Sequence, residues 1–155
     1  VIGKCLGSTS VALVQVAMFV LLAPVAGISL SNIAWPLLFS TMMLMSLGLT
    51  AFGFFVAWLV NNPRGYHAVQ MTLLMPLWVL SGAMFPPHVE DSVFGYFMRF
   101  NPIAHGMTGL RHAFYEGSAP KSTILNMTPE AALMSVAAFT LCTLVMAMLC
   151  CEQRQ

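Results

Sequence analysis

Long apolar runs broken by short polar joints set out the chain. Between positions 11 and 30 only Gln15 and Ser29 are polar. About 20 apolar residues, rising about 1.5 Å each, cross a bilayer, so the pattern predicts a first span at residues 7–28, with Pro24 and Gly27 kinking it or loosening its last turn. Residues 29–32 read as a turn. Trp35 stands where an interfacial aromatic would, and Pro36 suits the first turn of a second span at 34–60. Ser40, Ser46, Gly48, Thr50 and Gly53 are scattered along that span; small residues let membrane helices approach closely, and packing is their default role. Asn61-Asn62-Pro63-Arg64-Gly65 is a turn signal. A third span follows at 66–85, with Pro76 inside it, Ser81-Gly82 ending its helix and Pro86-Pro87 barring continuation.

The stretch 80–111 is the place where the chain leaves the bilayer at length before a last crossing. Phe94, Phe97 and Met98 fall on one helical face, Asn101-Pro102 breaks that helix, and Ile103, Met107, Leu110 and Phe114 form a second short stripe. Each piece is too short to span, so both are expected to be half-buried or re-entrant helices tucked against the spans. A polar loop leads to Thr128-Pro129-Glu130, an N-cap followed by proline, and a last span at 131–151. The fold class expected is all-α: a polytopic helical membrane protein of four transmembrane helices, with two short outer re-entrant or interfacial helices within the outer loop 86–130.

Composition agrees. The chain is 59% hydrophobic and 7% charged, against about 25% charged in soluble domains, which excludes a soluble core. A net charge of +1 implies no nucleic-acid surface. Lys4, Arg64 and Arg154 lie on one side of the predicted topology and Arg99, Arg111 and Lys121 on the other, so basic residues do not decide orientation. The chain opens on Val1 and enters a span at once, which reads as the C-terminal part of a longer membrane protein.

Candidate chemistry is sparse. No GxxxxGK[ST] loop is present to cradle phosphates, and neither HExxH nor GxSxG occurs. The four cysteines include no CxxC pair and read as free thiols. His105 and His112, seven apart, share a helix face without a carboxylate or cysteine at ligand spacing, which reads as a pair of interface histidines rather than half a metal site. The thirteen methionines suit adaptable apolar packing and form no cluster that argues for copper. Asn126-Met127-Thr128 matches a glycosylation sequon whose following proline argues against use. Gln15 is an amide at membrane depth, suited to bonding a neighbouring helix or touching substrate. Arg111 ends an apolar stripe near the membrane surface; it is either a snorkelling anchor or part of a pathway or gate, with Glu116 a candidate partner.

Several of these pieces, in order, resemble the membrane subunit of type-2 ABC exporters, the ABC-2 permeases. Gly3-Lys4 with Gln15 resembles the start of that family's third helix, and the small residues of 48–53 its fourth. Gln70, Pro76 and the run Leu80-Ser81-Gly82-Ala83-Met84-Phe85-Pro86 resemble its fifth helix and LSGxxFP boundary. Asn101-Pro102 and Leu110-Arg111 resemble the NP…LR pair of its outer helices. The resemblance implies a six-span permease of which four spans are visible, the first two and the cytoplasmic coupling helix lying before Val1. It implies a bacterial cytoplasmic (inner) membrane location with both visible ends cytoplasmic and the 80–130 side outside. It also implies a second permease copy, the same or different, and a separate ATPase subunit carrying ATP and Mg, this chain being no enzyme and holding no cofactor or metal of its own. The cargo would be hydrophobic or amphipathic. Gln15, Phe85, Phe94, Phe97 and Arg111 are the candidates for the substrate pathway or outer gate. The alternative is a non-transporting membrane scaffold or assembly subunit. An ion-coupled carrier is disfavoured, because no span has Asp, Glu, Lys or Arg at its centre.

Overall fold

The computed structural model describes residues 2–27, 29–60, 62–83, 93–115, 125 and 127–152, with only the backbone of residues 2, 4–6, 26, 94, 151 and 152. Six α-helices and two short 3-10 turns make up the described chain, without strands. Helix α1 runs Ile2–Leu21, α2 Trp35–Leu59, α3 Pro63–Val79, α4 Val93–Phe100, α5 Pro102–Phe114 and α6 Pro129–Glu152. The protein is an all-α polytopic membrane protein. Among the described residues, three apolar helical stretches are long enough to cross a membrane: Gly7–Val25, Trp35–Leu59 and Pro129–Cys150.

The helix ends follow local chemistry. Pro24 and Gly27 turn the end of the first span into a 3-10 turn at Ala23–Ala26, closed by Gly27 in the left-handed region at φ 79°. Pro63 and Pro102 sit at the first position of α3 and α5, each behind an asparagine cap: Asn62 Oδ1 accepts from the Arg64 N–H at 3.1 Å, and Asn101 Oδ1 from the Ile103 N–H at 3.0 Å.

Helix α3 begins three residues before the expected span and ends at Val79 rather than running to residue 85. The Ser81 hydroxyl donates to the Trp78 carbonyl at 2.6 Å, and Gly82 takes φ 78°, which only glycine adopts freely. Its 17 residues rise about 26 Å, the short end of what spans a bilayer.

Helix α2 is the hub. Against α6 it packs at Gly48, where a Cβ would stand 2.9 Å from Thr140 Oγ1 and 3.1 Å from the Phe139 ring. Thr140 Oγ1 lies 2.8 Å from both the Leu44 carbonyl across the interface and the Val136 carbonyl of its own helix. Ala51, Ala132, Val136 and Ala147 are buried in the same bundle.

Helix α5 lies antiparallel along the first half of α2. The Ala34 N–H donates to the Ala113 carbonyl at 2.9 Å. Deeper in, a Cβ on Gly109 would stand 3.1 Å from the Thr41 side chain, and one on Gly106 2.6 Å from Met45 Sδ. From Ala34 to Met45 α2 descends about 16 Å, half of a hydrocarbon core about 30 Å thick. The α4–α5 pair therefore reaches back along half the length of α2, as a re-entrant pair does, with the Asn101-Pro102 break at its far tip. The large stripe Ile103, Met107 and Leu110 is only partly buried. The fully buried face of α5 is instead Ala104, Gly106, Thr108, Gly109 and Ala113, because only small side chains fit so close an approach.

Candidate functional site

Two features meet around α5. The first is a cleft of about 330 Å³ between α1, α2 and α5. Ala12 and Val16 form one wall, Met42, Met45, Ser46, Leu49 and Thr50 the second, and Ile103, Gly106, Met107 and Leu110 the third. Among the described residues no charged side chain lines it. Its polar groups are the hydroxyls of Ser46 and Thr50, and Ser46 Oγ is buried without a hydrogen-bond partner among the described residues. Three methionines make the wall apolar, polarisable and conformationally adaptable.

The second feature is a tether between α5 and the end of α3. The last carbonyls of a helix lack partners within it. The buried Asn101 amide donates to the Leu77 carbonyl at 2.6 Å, and the half-buried Arg111 guanidinium donates to the Gly82 carbonyl at 3.0 Å. Ser81-Gly82, Asn101-Pro102 and Leu110-Arg111, far apart in the chain, thus meet where the re-entrant pair is fastened to α3. The outer face of α5 is held from the other side: His112 Nε2 donates to the Met127 carbonyl at 3.1 Å, and His105 contacts the Met127 thioether and the Arg99 carbonyl.

The five residues singled out from sequence fall in separate places. Arg111 belongs to the tether, its described partner being the Gly82 carbonyl; Glu116, expected beside it, lies outside the described residues. Gln15 is exposed on α1 and Phe97 is 56% exposed on α4, and neither lines the cleft. Phe97 turns outward with Tyr96 and Phe100 while Met98 is buried, so the expected apolar face of α4 is divided. Phe85 and the side chain of Phe94 lie outside the described residues, as do Asn126 and its sequon. Missed from sequence were Asn101 as a two-way connector and Ser46 as an orphan hydroxyl in the cleft wall. The signal for the first was on the page, since an asparagine before proline has a second side-chain group beyond the one a cap uses.

Comparison with curated proteins finds no match, and comparison with solved structures finds none either. The family model for the ABC-2 type transporter matches residues 1–115, from α1 to the end of the re-entrant pair. That stretch contains the cleft and both ends of the tether, and it is well over half of the chain. The chain is thus a membrane permease component, not itself catalytic, and belongs to the ABC-2 type transporter family.

Proposed function

We propose that this chain is the permease subunit of an ATP-driven exporter. In this reading it pairs with a second permease copy, identical or not, and with separate ATPase subunits that bind ATP and Mg on the cytoplasmic side of a bacterial inner membrane. Both visible ends face the cytoplasm and the re-entrant pair faces outward. The cleft wall without charge, carrying two hydroxyls and three thioethers, is the observation that supports a path for hydrophobic or amphipathic cargo. A charged cargo would lose its hydration there without a partner.

The tether gives the outer gate a mechanical basis. Asn101 and Arg111 bind α5 to the backbone at the end of α3, so a displacement of α3 carries the re-entrant pair with it. Because α5 forms one wall of the cleft, that displacement alters the cleft's width. Arg111 serves as the fastening of the gate, Phe85, Phe94 and Phe97 as its aromatic residues, and Gln15 as a polar contact on α1.

The test is purification of the full-length protein from membranes with its associated proteins, followed by ATPase assay with and without hydrophobic amphiphiles. A co-purifying P-loop ATPase whose rate responds to amphiphiles supports the exporter. Absence of any ATPase under mild detergent favours the scaffold alternative. An associated ATPase indifferent to every amphiphile, but stimulated by a charged solute, removes the cargo assignment.

A further inference from the structure

His105 faces two groups that can only accept. Its Nε2 lies 2.8 Å from the Arg99 carbonyl oxygen, and its Nδ1 lies 3.2 Å from Met127 Sδ. A carbonyl has no proton to give, so Nε2 carries the N–H. In the neutral ring that leaves the Nδ1 lone pair aimed at a thioether, which also brings only lone pairs. Such a contact needs a positive centre between the two atoms, either a second ring proton or a bound cation. A histidine whose second nitrogen donates to a backbone carbonyl, fixing ring and tautomer, is the usual arrangement of a metal-ligating imidazole.

The surroundings select the kind of ion. Among the described residues no group of three His, Cys, Asp or Glu side chains gathers anywhere, and the donors at hand are imidazole and thioether. Sulfur is abundant instead: Met127, whose thioether touches the His105 ring, packs in one cluster with Met98, Met107, Ala104 and Leu125. Thioether and imidazole donors together favour a soft monovalent ion. The Met127 backbone is also held by His112 at 3.1 Å, which keeps its side chain beside His105. We infer that His105 Nδ1 and Met127 Sδ, with a thioether from Met98 or Met107, form a binding site for a soft monovalent cation, Cu(I) in biology.

The fit requires little movement. With bonds of about 2.0 Å to nitrogen and about 2.3 Å to sulfur, two ligands at a trigonal angle stand about 3.7 Å apart, so the pair opens by about half an ångström. A methionine with three rotatable bonds supplies that readily. The ion would join the tip of the re-entrant pair to the start of α6, stiffening α5 against that helix.

The experiment uses the full-length protein in detergent, anaerobic, in a background with cysteines changed to serine so that thiolates do not compete. It is titrated with Cu(I) against a chromophoric Cu(I) chelator, and with Ag(I) as a redox-inert probe. One equivalent per chain is expected, with one nitrogen and one or more sulfurs as neighbours by X-ray absorption. Met127→Leu, which conserves volume and leaves the backbone contact with His112, and His105→Asn should each weaken binding at least about tenfold. Met75→Leu, on the exposed face of α3, should leave it unchanged. Failure to withdraw Cu(I) from the chelator, or undiminished binding by a folded Met127→Leu protein, overturns the proposal. So does ring ¹⁵N NMR showing His105 protonated on both nitrogens while no metal binds, since the short contact is then an N–H···S hydrogen bond.

Discussion

Asn101 on α5 and Leu77 on α3, 24 positions apart, are joined by a 2.6 Å hydrogen bond in which the asparagine amide satisfies a carbonyl at a helix end. The same side chain caps α5 through its oxygen. The two functions separate by substitution. Asn101→Ser keeps a capping oxygen but is too short to reach Leu77, and should lower stability by about 1–2 kcal/mol by leaving a half-buried carbonyl unpaired. Asn101→Ala loses the cap as well and should fall about 1 kcal/mol further. Thermal unfolding of the detergent-solubilised protein reads the order; equal losses for the two variants would mean that the cap contributes nothing.

Arg111 fastens the other end of the same helix, donating to the Gly82 carbonyl. Arg111→Met keeps the apolar stem and removes the donor. The expected result is a cost of about 1.5–3 kcal/mol, typical of a hydrogen bond from a charged donor, with faster hydrogen exchange at residues 80–83 and little change in α6. Arg111→Lys should recover part of the protection, since one ammonium can reach a carbonyl without the guanidinium's planar fork. Exchange at 80–83 unaltered by both variants would detach Arg111 from the end of α3.

Glycine positions divide by what surrounds them. A Cβ at Gly48 meets Thr140 Oγ1 at 2.9 Å and the Phe139 ring at 3.1 Å, both held in the α2–α6 interface, whereas at Gly106 the nearest atoms belong to the flexible Met45 side chain. At Gly7 nothing lies within 4 Å. Gly48→Ala should therefore destabilise by about 1–3 kcal/mol through overpacking, Gly106→Ala by less, and Gly7→Ala should stabilise by up to about 1 kcal/mol through helix propensity. A melting series in the order Gly7→Ala, Gly106→Ala, Gly48→Ala, from highest to lowest, is the result that fits.

Thr140 links α2 and α6 through the Leu44 carbonyl, which already has its own helix available to it. Thr140→Val preserves shape and removes the hydroxyl. Interhelical hydrogen bonds within membranes average about 0.6 kcal/mol, so the loss should be of that size. A loss several times larger would indicate that α6 depends on this contact rather than on the packing around Gly48.

How much of this was legible in the sequence follows from what a membrane does to hydrophobicity. The apolar runs, the proline and glycine stops and the two asparagine caps are local signals; α2, α6 and the break at Asn101-Pro102 lie close to those signals, while α1 begins and ends several residues before the expected 7–28. The buried face of α5 was not legible from apolar periodicity. Lipid is as apolar as leucine, so a large apolar residue gains little by turning inward, and helices associate through small residues. Ala104, Gly106, Thr108, Gly109 and Ala113 carried that signal, while Ile103, Met107 and Leu110 were left to line a cleft. Phe97 turns outward for the same reason. The shared face of His105 and His112 was legible from their spacing, but their common partner Met127 lies 15 positions beyond His112, where periodicity does not reach.

Ser46 separates stability from transport. Its hydroxyl is buried in the cleft wall without a partner among the described residues, so it brings the penalty of desolvation and no compensating bond. Removing an unsatisfied polar group from an apolar setting is neutral or stabilising. Ser46→Ala should accordingly melt at the same temperature as the parent or slightly higher. If the cleft is the path for cargo, the free hydroxyl is available to bond a polar group on an amphipathic molecule, and its loss should weaken amphiphile stimulation of the ATPase several-fold. Ser46→Leu should weaken it further by filling the cleft while keeping the wall apolar. Both variants stimulated as well as the parent would place the cargo path elsewhere. A sharp drop in melting temperature for Ser46→Ala would mean instead that the hydroxyl has a partner that holds the helices together.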